Sequence, residues 1–171
     1  MSAASAVDYW PASMTTKRLL LRPVELADGS AMARLWTDPE VRRYLGGPVP
    51  EDVVSVRQAR CVGAKGLFAV VRQQDDELLG SVFVEPGGRD GRTEISYQLA
   101  PDHWGFGYAR EAVAAAVSWA LAEIPAEMPG VVAVTQAANE GSRRLLEALG
   151  ASLVDHFVAW NAPQVMYRFD Q

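Results

Sequence analysis

Hydrophobic and polar positions change period repeatedly along this chain, and each change marks an element. Arg18-Leu19-Leu20-Leu21-Arg22, stopped by Pro23, predicts a strand, because proline has no N–H to give a ladder. Asp28 stands at the start of a helix whose inward side carries Met32, Leu35 and Trp36. Asp38-Pro39 predicts a second, short helix that Gly46-Gly47-Pro48 ends, and a weakly periodic helical segment follows from Glu51 to Val62. From Gly66 the texture turns to strands: Leu67-Phe68-Ala69-Val70-Val71 and Leu78-Leu79-Gly80-Ser81-Val82-Phe83-Val84, with a polar turn between them, predict a hairpin. After a turn at Pro86-Gly87-Gly88-Arg89-Asp90-Gly91 comes alternation, with Ile95, Tyr97 and Leu99 on one side and Glu94, Ser96 and Gln98 on the other. Ala109, Ala112, Val113, Ala116, Val117, Ala120 and Leu121 then share the face of a helix. Val131-Val132-Ala133-Val134 is a continuous apolar run of the sort buried on both faces. Asn139 caps a helix that carries Leu145, Leu146 and Leu149 and ends at Gly150, and residues 153–158 and 164–169 predict a closing hairpin.

Strand, helices, three antiparallel strands, helix, strand, helix and hairpin make an α/β (mixed α+β) domain. Its sheet is mixed and mostly antiparallel, of about seven strands, with one parallel crossover near its centre. At 171 residues, 49% of them hydrophobic, the chain suits one domain with a real core. Residues 1–14, rich in Ala and Ser, read as a flexible N-terminal segment whose Tyr9 and Trp10 can dock, ahead of a single domain over residues 15–171.

Charge removes several function classes. The net charge is −5 and the basic residues are scattered apart from the pairs Arg42-Arg43 and Arg143-Arg144, so no basic face argues for direct nucleic-acid binding. Cys61 is the single cysteine and His103 and His156 the only histidines, so neither an internal disulfide nor a Cys/His metal centre is expected. A lone cysteine fits a reducing cytoplasm. The N-terminus lacks the pattern of an export signal, and no apolar run is long enough to span a membrane.

The candidate chemistry lies in His103-Trp104-Gly105-Phe106-Gly107-Tyr108-Ala109-Arg110, where a strand hands over to a helix N-terminus. The first amides of a helix have no intrahelical partner and the dipole is positive there, so an anion such as phosphate is stabilised, and glycine lets the backbone come close. A tight turn without a ligand is the alternative. A dinucleotide fingerprint requires glycine where Arg110 stands, and the Lys-Ser/Thr ending of an ATP-binding P-loop is missing.

Trp104-Gly105-Phe106-Gly107-Tyr108-Ala109-Arg110-Glu111-Ala112, followed by Asn139-Glu140-Gly141-Ser142-Arg143 and Leu146-Glu147-Ala148-Leu149-Gly150, resembles the GNAT acyltransferases. Within these it looks like the ribosomal-protein-alanine N-acetyltransferases, and the match extends over most of the chain from Thr16. The resemblance implies an acetyl-CoA site with the pyrophosphate on the amides of Gly105, Phe106, Gly107, Tyr108, Ala109 and Arg110, Trp104 beside it, and the pantetheine between the strand ending at Leu99-Ala100 and the strand of residues 131–134. Asn139 is implied as a pantetheine contact. No metal takes part. An amine attacks the acetyl thioester directly in such enzymes, so the amine must be neutral and the departing thiolate stabilised.

On this resemblance Glu94 is the expected base, acting through water, and Ser142 the hydroxyl near the sulfur. Each has a structural alternative, Glu94 as a solvated strand residue and Ser142 as part of a helix cap. His103 and His156 are second choices as base. Trp36, Tyr44 and Trp160 are expected to line the acceptor cleft, or else to be core. The sequence departs from the pattern at Leu146, where many relatives carry a tyrosine acid, at Asp102 and at Ala151. The expected partner is an amine, either a protein N-terminus or a small molecule, and the resemblance also raises homodimerisation. The loss of the tyrosine leaves open a non-catalytic acyl-CoA-binding module.

Overall fold

The structure, a computed structural model, describes residues 8–170. Among them eight strands form one sheet: β1 (Met14–Thr15), β2 (Leu19–Pro23), β3 (Leu67–Arg72), β4 (Glu77–Arg89), β5 (Arg92–Leu99), β6 (Val131–Gln136), β7 (Ser152–Ala159) and β8 (Ala162–Phe169), in the order β1-β2-β3-β4-β5-β6-β8-β7. Every neighbouring pair is antiparallel except β5 and β6. Four helices cover the sheet: α1 (Gly29–Thr37), α2 (Glu51–Cys61), α3 (Tyr108–Glu123) and α4 (Glu140–Ala148).

Alternation along β3 divides the interior in two. Phe68 and Val70 belong to a core on one face with Ala112, Val113, Ala116, Val117 and Ala120 of α3, while Ala69 and Val71 face a second core with Met32, Leu35 and Trp36 of α1. Five of the seven positions of the helical stripe read from the sequence are therefore buried in α3, with Ala109 and Leu121 packed partly buried against the same core, and Val131, Val132 and Ala133 of the β6 run are 2% exposed or less. Fully burying one valine of this kind contributes about 1.5–3 kcal/mol.

Several elements differ from expectation. Met14–Thr15 adds an eighth strand, too short to show a periodicity, which pairs with Leu20 and Leu21 of β2. No helix forms at Asp38-Pro39: the Asp38 carboxylate accepts the Glu40 and Val41 N–H groups, and a run of turns follows through residue 47, with left-handed Gly46 and Gly47 ending it. That turn lets the chain fold back so that the Val49 N–H donates to the Trp36 carbonyl, with Val41 and Val49 in the second core. Asp28 precedes α1 but does not cap it with its side chain; its carboxylate instead accepts two bonds from Arg22 and one from the Glu25 N–H. β4 continues through Pro86, bulging between Glu85 and Arg89, so the turn to β5 narrows to Asp90 and Gly91. Of the expected N-terminal segment, residues 1–7 lie outside the described ones. Tyr9 and Trp10 pack edge-on against Trp119 and Phe68.

The parallel pair sets up the site. β5 and β6 are in register only at Thr93 with Val131 and Glu94 with Val132; beyond these the strands part, and the gap opens toward the N-terminal ends of α3 and α4.

Candidate active site

A cleft of about 660 Å³ fills the gap between the parted strands. Residues 95–99 of β5 form one wall and Ala133, Val134 and Thr135 of β6 the other, with the first turns of α3 and α4 at its ends. Two parallel strands that separate leave their facing backbone groups free to pair with an extended ligand, which is the geometry the pantetheine arm needs.

Two glycines shape the end formed by α3. Gly105 and Gly107 have φ of +84° and +81°, the left-handed region where a side chain is strained. Gly107 is the residue before α3, and the first helical bond runs from the Glu111 N–H to its carbonyl. The N–H groups of Tyr108, Ala109 and Arg110 thus have no helical partner, and among the described residues no side chain caps them. Gly105, Gly107, Tyr108, Ala109 and Arg110 all line the cleft, so these donors suit a pyrophosphate. Arg18, just ahead of β2, braces the turn: it donates to the Phe106 carbonyl at 2.9 Å, stacks 4.3 Å from the Tyr108 ring centre and pairs with Glu111 Oε1 at 2.8 Å. Trp104 donates from its indole to the Leu99 carbonyl at 2.8 Å, tying the turn to the end of β5.

At the other end Asn139 caps α4, its side-chain oxygen accepting the Ser142 N–H. This holds the Ser142 hydroxyl in the cleft, 2.6 Å from the Tyr97 hydroxyl on β5. Tyr97 is the functional candidate that the sequence reading passed over, since the alternation assigned it to the apolar side with Ile95 and Leu99. Only its partner, 45 positions away, reveals the hydroxyl's place. Burial pushes the Tyr97 phenol above its ordinary pKa, with the Ser142 bond working the other way, so it remains protonated at neutral pH. Leu146, where a tyrosine acid was looked for, is fully buried in the core.

The remaining named residues fall in different places. Tyr44 lines the cleft, its carbonyl accepting a bond from the Gln136 side chain at the end of β6. His103 also lines it, with Nε2 3.4 Å from Glu77 Oε1. Trp36 is buried in the second core and edges a smaller adjoining cavity. Ala100 packs against that core, its N–H bonded to the Leu79 carbonyl, and lies outside the cleft wall; Phe106, 61% exposed, is not part of the lining either. Trp160, expected at the acceptor cleft, sits at the β7–β8 turn, 74% exposed and outside both cavities, because Trp160 and Asn161 form a two-residue hairpin with positive φ at both positions. His156 is exposed on the edge strand β7.

Glu94 also stands apart from both cavity walls. It lies on the same face of β5 as Ser96, two residues away, or roughly 6–7 Å along the strand. Arg89 donates to its Oε2 at 3.1 Å. Burial pushes the Glu94 carboxyl above its ordinary value, against the pull of Arg89 and with a smaller push from Glu85. Among the described residues there is no group of three His, Cys, Asp or Glu side chains that could hold a metal ion, and no helix is long and apolar enough to cross a membrane.

A sheet split at one parallel pair, with an uncapped helix N-terminus and a capped one meeting at the split, leaves a cleft with free backbone donors at one end and paired hydroxyls at the other. Residues 18–152 match the model of the acetyltransferase (GNAT) domain, and the chain belongs to that family. It is 30% identical over 145 residues to the uncharacterized N-acetyltransferase p20 of Bacillus licheniformis, covering 80% of each chain. Among solved structures it resembles a GNAT-family acetyltransferase from Bacillus anthracis, with a TM-score of 0.82 at 23% identity over 93% of this chain and 98% of that one. The ribosomal-protein-S5-alanine acetyltransferase of Vibrio fischeri aligns with a TM-score of 0.73 at 16% identity, over 94% and 97%. At such identities the structural likeness establishes the fold, and the ribosomal-protein branch is one neighbour among several. GNAT acetyltransferases use acetyl-CoA and act on amines.

Proposed function

We propose that this chain transfers an acetyl group from acetyl-CoA to a primary amine. The observation that carries the reading is the parted β5–β6 pair closing on the free amides of Tyr108, Ala109 and Arg110. The bound thioester supplies the acetyl group and a thiolate that must be stabilised as it leaves. Gly105, Gly107 and the amides behind them hold the pyrophosphate, braced by Arg18, and Asn139 borders the pantetheine arm. Ser142 and Tyr97 offer paired hydroxyls where the departing sulfur needs a proton donor, Ser142 nearer the helix terminus and Tyr97 supplying it from behind. Glu94, held mostly unsolvated beside Arg89, takes the amine's proton through water along the Ser96 face. The reaction forms an amide N–C bond, breaks the C–S bond and moves one proton from nitrogen toward the base and one to sulfur.

Leu146 favours a second reading, an acyl-CoA-binding module without catalysis, which the Tyr97–Ser142 pair argues against. Calorimetry with CoA, followed by acetyl-CoA and a panel of amines with free thiol monitored, separates the two. CoA binding with amine-dependent thiol release is expected. Binding without transfer to any amine would favour the module, and absence of CoA binding would overturn both.

A further inference from the structure

Acidic residues outnumber basic ones in this chain, 21 to 16, yet in one cavity beside the cleft every charged side chain is basic. It holds about 410 Å³ and shares Leu45, Ser96, Tyr97 and Gln98 with the larger cleft. Arg42, Arg57 and Arg60 line it, and no carboxylate does. Among the described residues none of these three arginines forms an ion pair. Arg18, Arg22, Arg72, Arg89, Arg144 and Arg168 are paired with carboxylates elsewhere, whereas this cavity gathers three unpaired arginines.

Two of the three are also held in place. Arg42 donates from Nε to the Gly47 carbonyl at 2.9 Å and from Nη2 to the Leu45 carbonyl, which fixes its plane and, among the described residues, leaves Nη1 without a partner. Arg57 projects from α2 toward the Trp36 ring, 5.9 Å from its centre. Burial, and then the like charge of Arg57, disfavour the charged form of Arg42. Arg42, half-buried beside Arg57, gains most from a counter-ion, and a carboxylate or phosphate matches the planar donor forks of the three guanidinium groups. At the junction with the larger cleft, Gln98 donates to Ser81 Oγ while its own side-chain oxygen is buried without a partner, an acceptor suited to an N–H.

We propose that the acceptor is a small amine that also carries an anionic group, with the anion on Arg42, Arg57 and Arg60 and the nitrogen at Ser96, Tyr97 and Gln98. This rests on the acetyl-transfer reading above. The cavity volume suits a molecule of amino-acid size, and the charge disfavours a polyamine. A protein N-terminus is recognised here only if its own first side chains are acidic.

The test compares matched acceptors on the full-length protein: amino acids with the amine at increasing distance from the carboxylate, their uncharged amides, an amine bearing phosphate, and a diamine. The carboxylate and phosphate arms separate the two anion sources. At least one anionic acceptor is expected to exceed its neutral match about tenfold in kcat/KM, with the advantage shrinking as salt screens the arginines. The anionic acceptor, and not its amide, is expected to raise the Tm of the CoA-bound protein. Arg57→Gln and Arg60→Gln change exposed positions of α2. Each should lower the acid-to-amide ratio several-fold at unchanged CoA affinity. Equal use of acid and amide, preference for the diamine, or an unchanged ratio in both variants would overturn the inference while leaving acetyl transfer intact. Failure to bind CoA would instead overturn the functional reading beneath it.

Discussion

The hydroxyls of Tyr97 and Ser142 lie 2.6 Å apart, joining the middle of the sheet to the first turn of α4 across the cleft. Two hydroxyls at this distance share one hydrogen bond, so one donates to its partner and keeps an open acceptor side, and the other keeps a free proton. If they act as one proton-donating unit, Tyr97→Phe and Ser142→Ala each lower kcat by about 10²-fold with little change in CoA affinity, and the double variant is hardly worse than either. Steady-state kinetics of the three variants checks this. Strictly multiplicative losses would mean that the two groups work separately.

Glu94 is testable through pH. A base acts in its ionised form, so kcat/KM falls as pH drops through the folded-state pKa, which burial has raised and Arg89 only partly restores. Glu94→Gln is expected to flatten that acidic limb and to lower the plateau rate about tenfold or more. The stability sign runs the other way. The folded state favours the protonated carboxyl, a contribution present below the ordinary carboxylate range and lost as pH rises through the raised pKa. A permanently neutral glutamine therefore keeps Tm at pH 8 within about 2 °C of the parent or above it. A pH–rate profile of the variant identical to the parent's would remove Glu94 from the mechanism.

The elements that local pattern controls were legible, and those that depend on a distant partner were not. The α3 stripe and the β6 run bury as their periods require, because each carries enough apolar residues to decide its own face. Gly105 and Gly107 were legible as a tight strand-to-helix turn for the same reason, since positive φ is a local demand that glycine meets. Met14–Thr15 is held as a strand only by its pairing with β2. Asp38-Pro39 has a helix-start pattern, but the need to bring Val41 and Val49 to the second core turns the chain back instead. Tyr97 shows the limit most clearly. Alternation predicts which side of a strand a residue takes, yet the role of a hydroxyl depends on what faces it, and Ser142 arrives from another helix.

Asp28 offers a test of the fold apart from catalysis. Its carboxylate takes Arg22 Nη1 at 2.7 Å and Nη2 at 3.0 Å together with the Glu25 N–H at 2.8 Å. Burial alone would push this carboxyl up, but the Arg22 bonds and the Glu25 N–H outweigh it and hold it below its ordinary value. Its stabilisation is thus present above the ordinary carboxylate range and lost as pH falls through the lowered pKa. Asp28→Asn is expected to cost about 2–3 kcal/mol at pH 7, roughly 4–10 °C in Tm, and to remove that part of the acid dependence. Thermal melts of both proteins from pH 7 down to the acid transition measure it.

Gly105 and Gly107 separate backbone strain from loss of space. Both have φ near +80°, so alanine at either site carries a left-handed penalty of about 1–2 kcal/mol. A Cβ on Gly105 would meet no atom within 4 Å, whereas one on Gly107 would come within 3.4 Å of Arg18 Nη2. Arg18 is the side chain that also holds Glu111 and the Phe106 carbonyl, so crowding it disturbs the brace behind the free amides of α3. Gly107→Ala is therefore expected to weaken CoA binding more than Gly105→Ala, by about tenfold against about threefold, at similar cost in Tm. Arg18→Gln, which removes the brace without touching the glycines, should weaken CoA binding and leave little further effect for Gly107→Ala when the two are combined. Calorimetric titration of CoA into the four variants reads the outcome. Equal losses at the two glycines, or full additivity with Arg18→Gln, would mean that the brace does not shape the phosphate-binding turn.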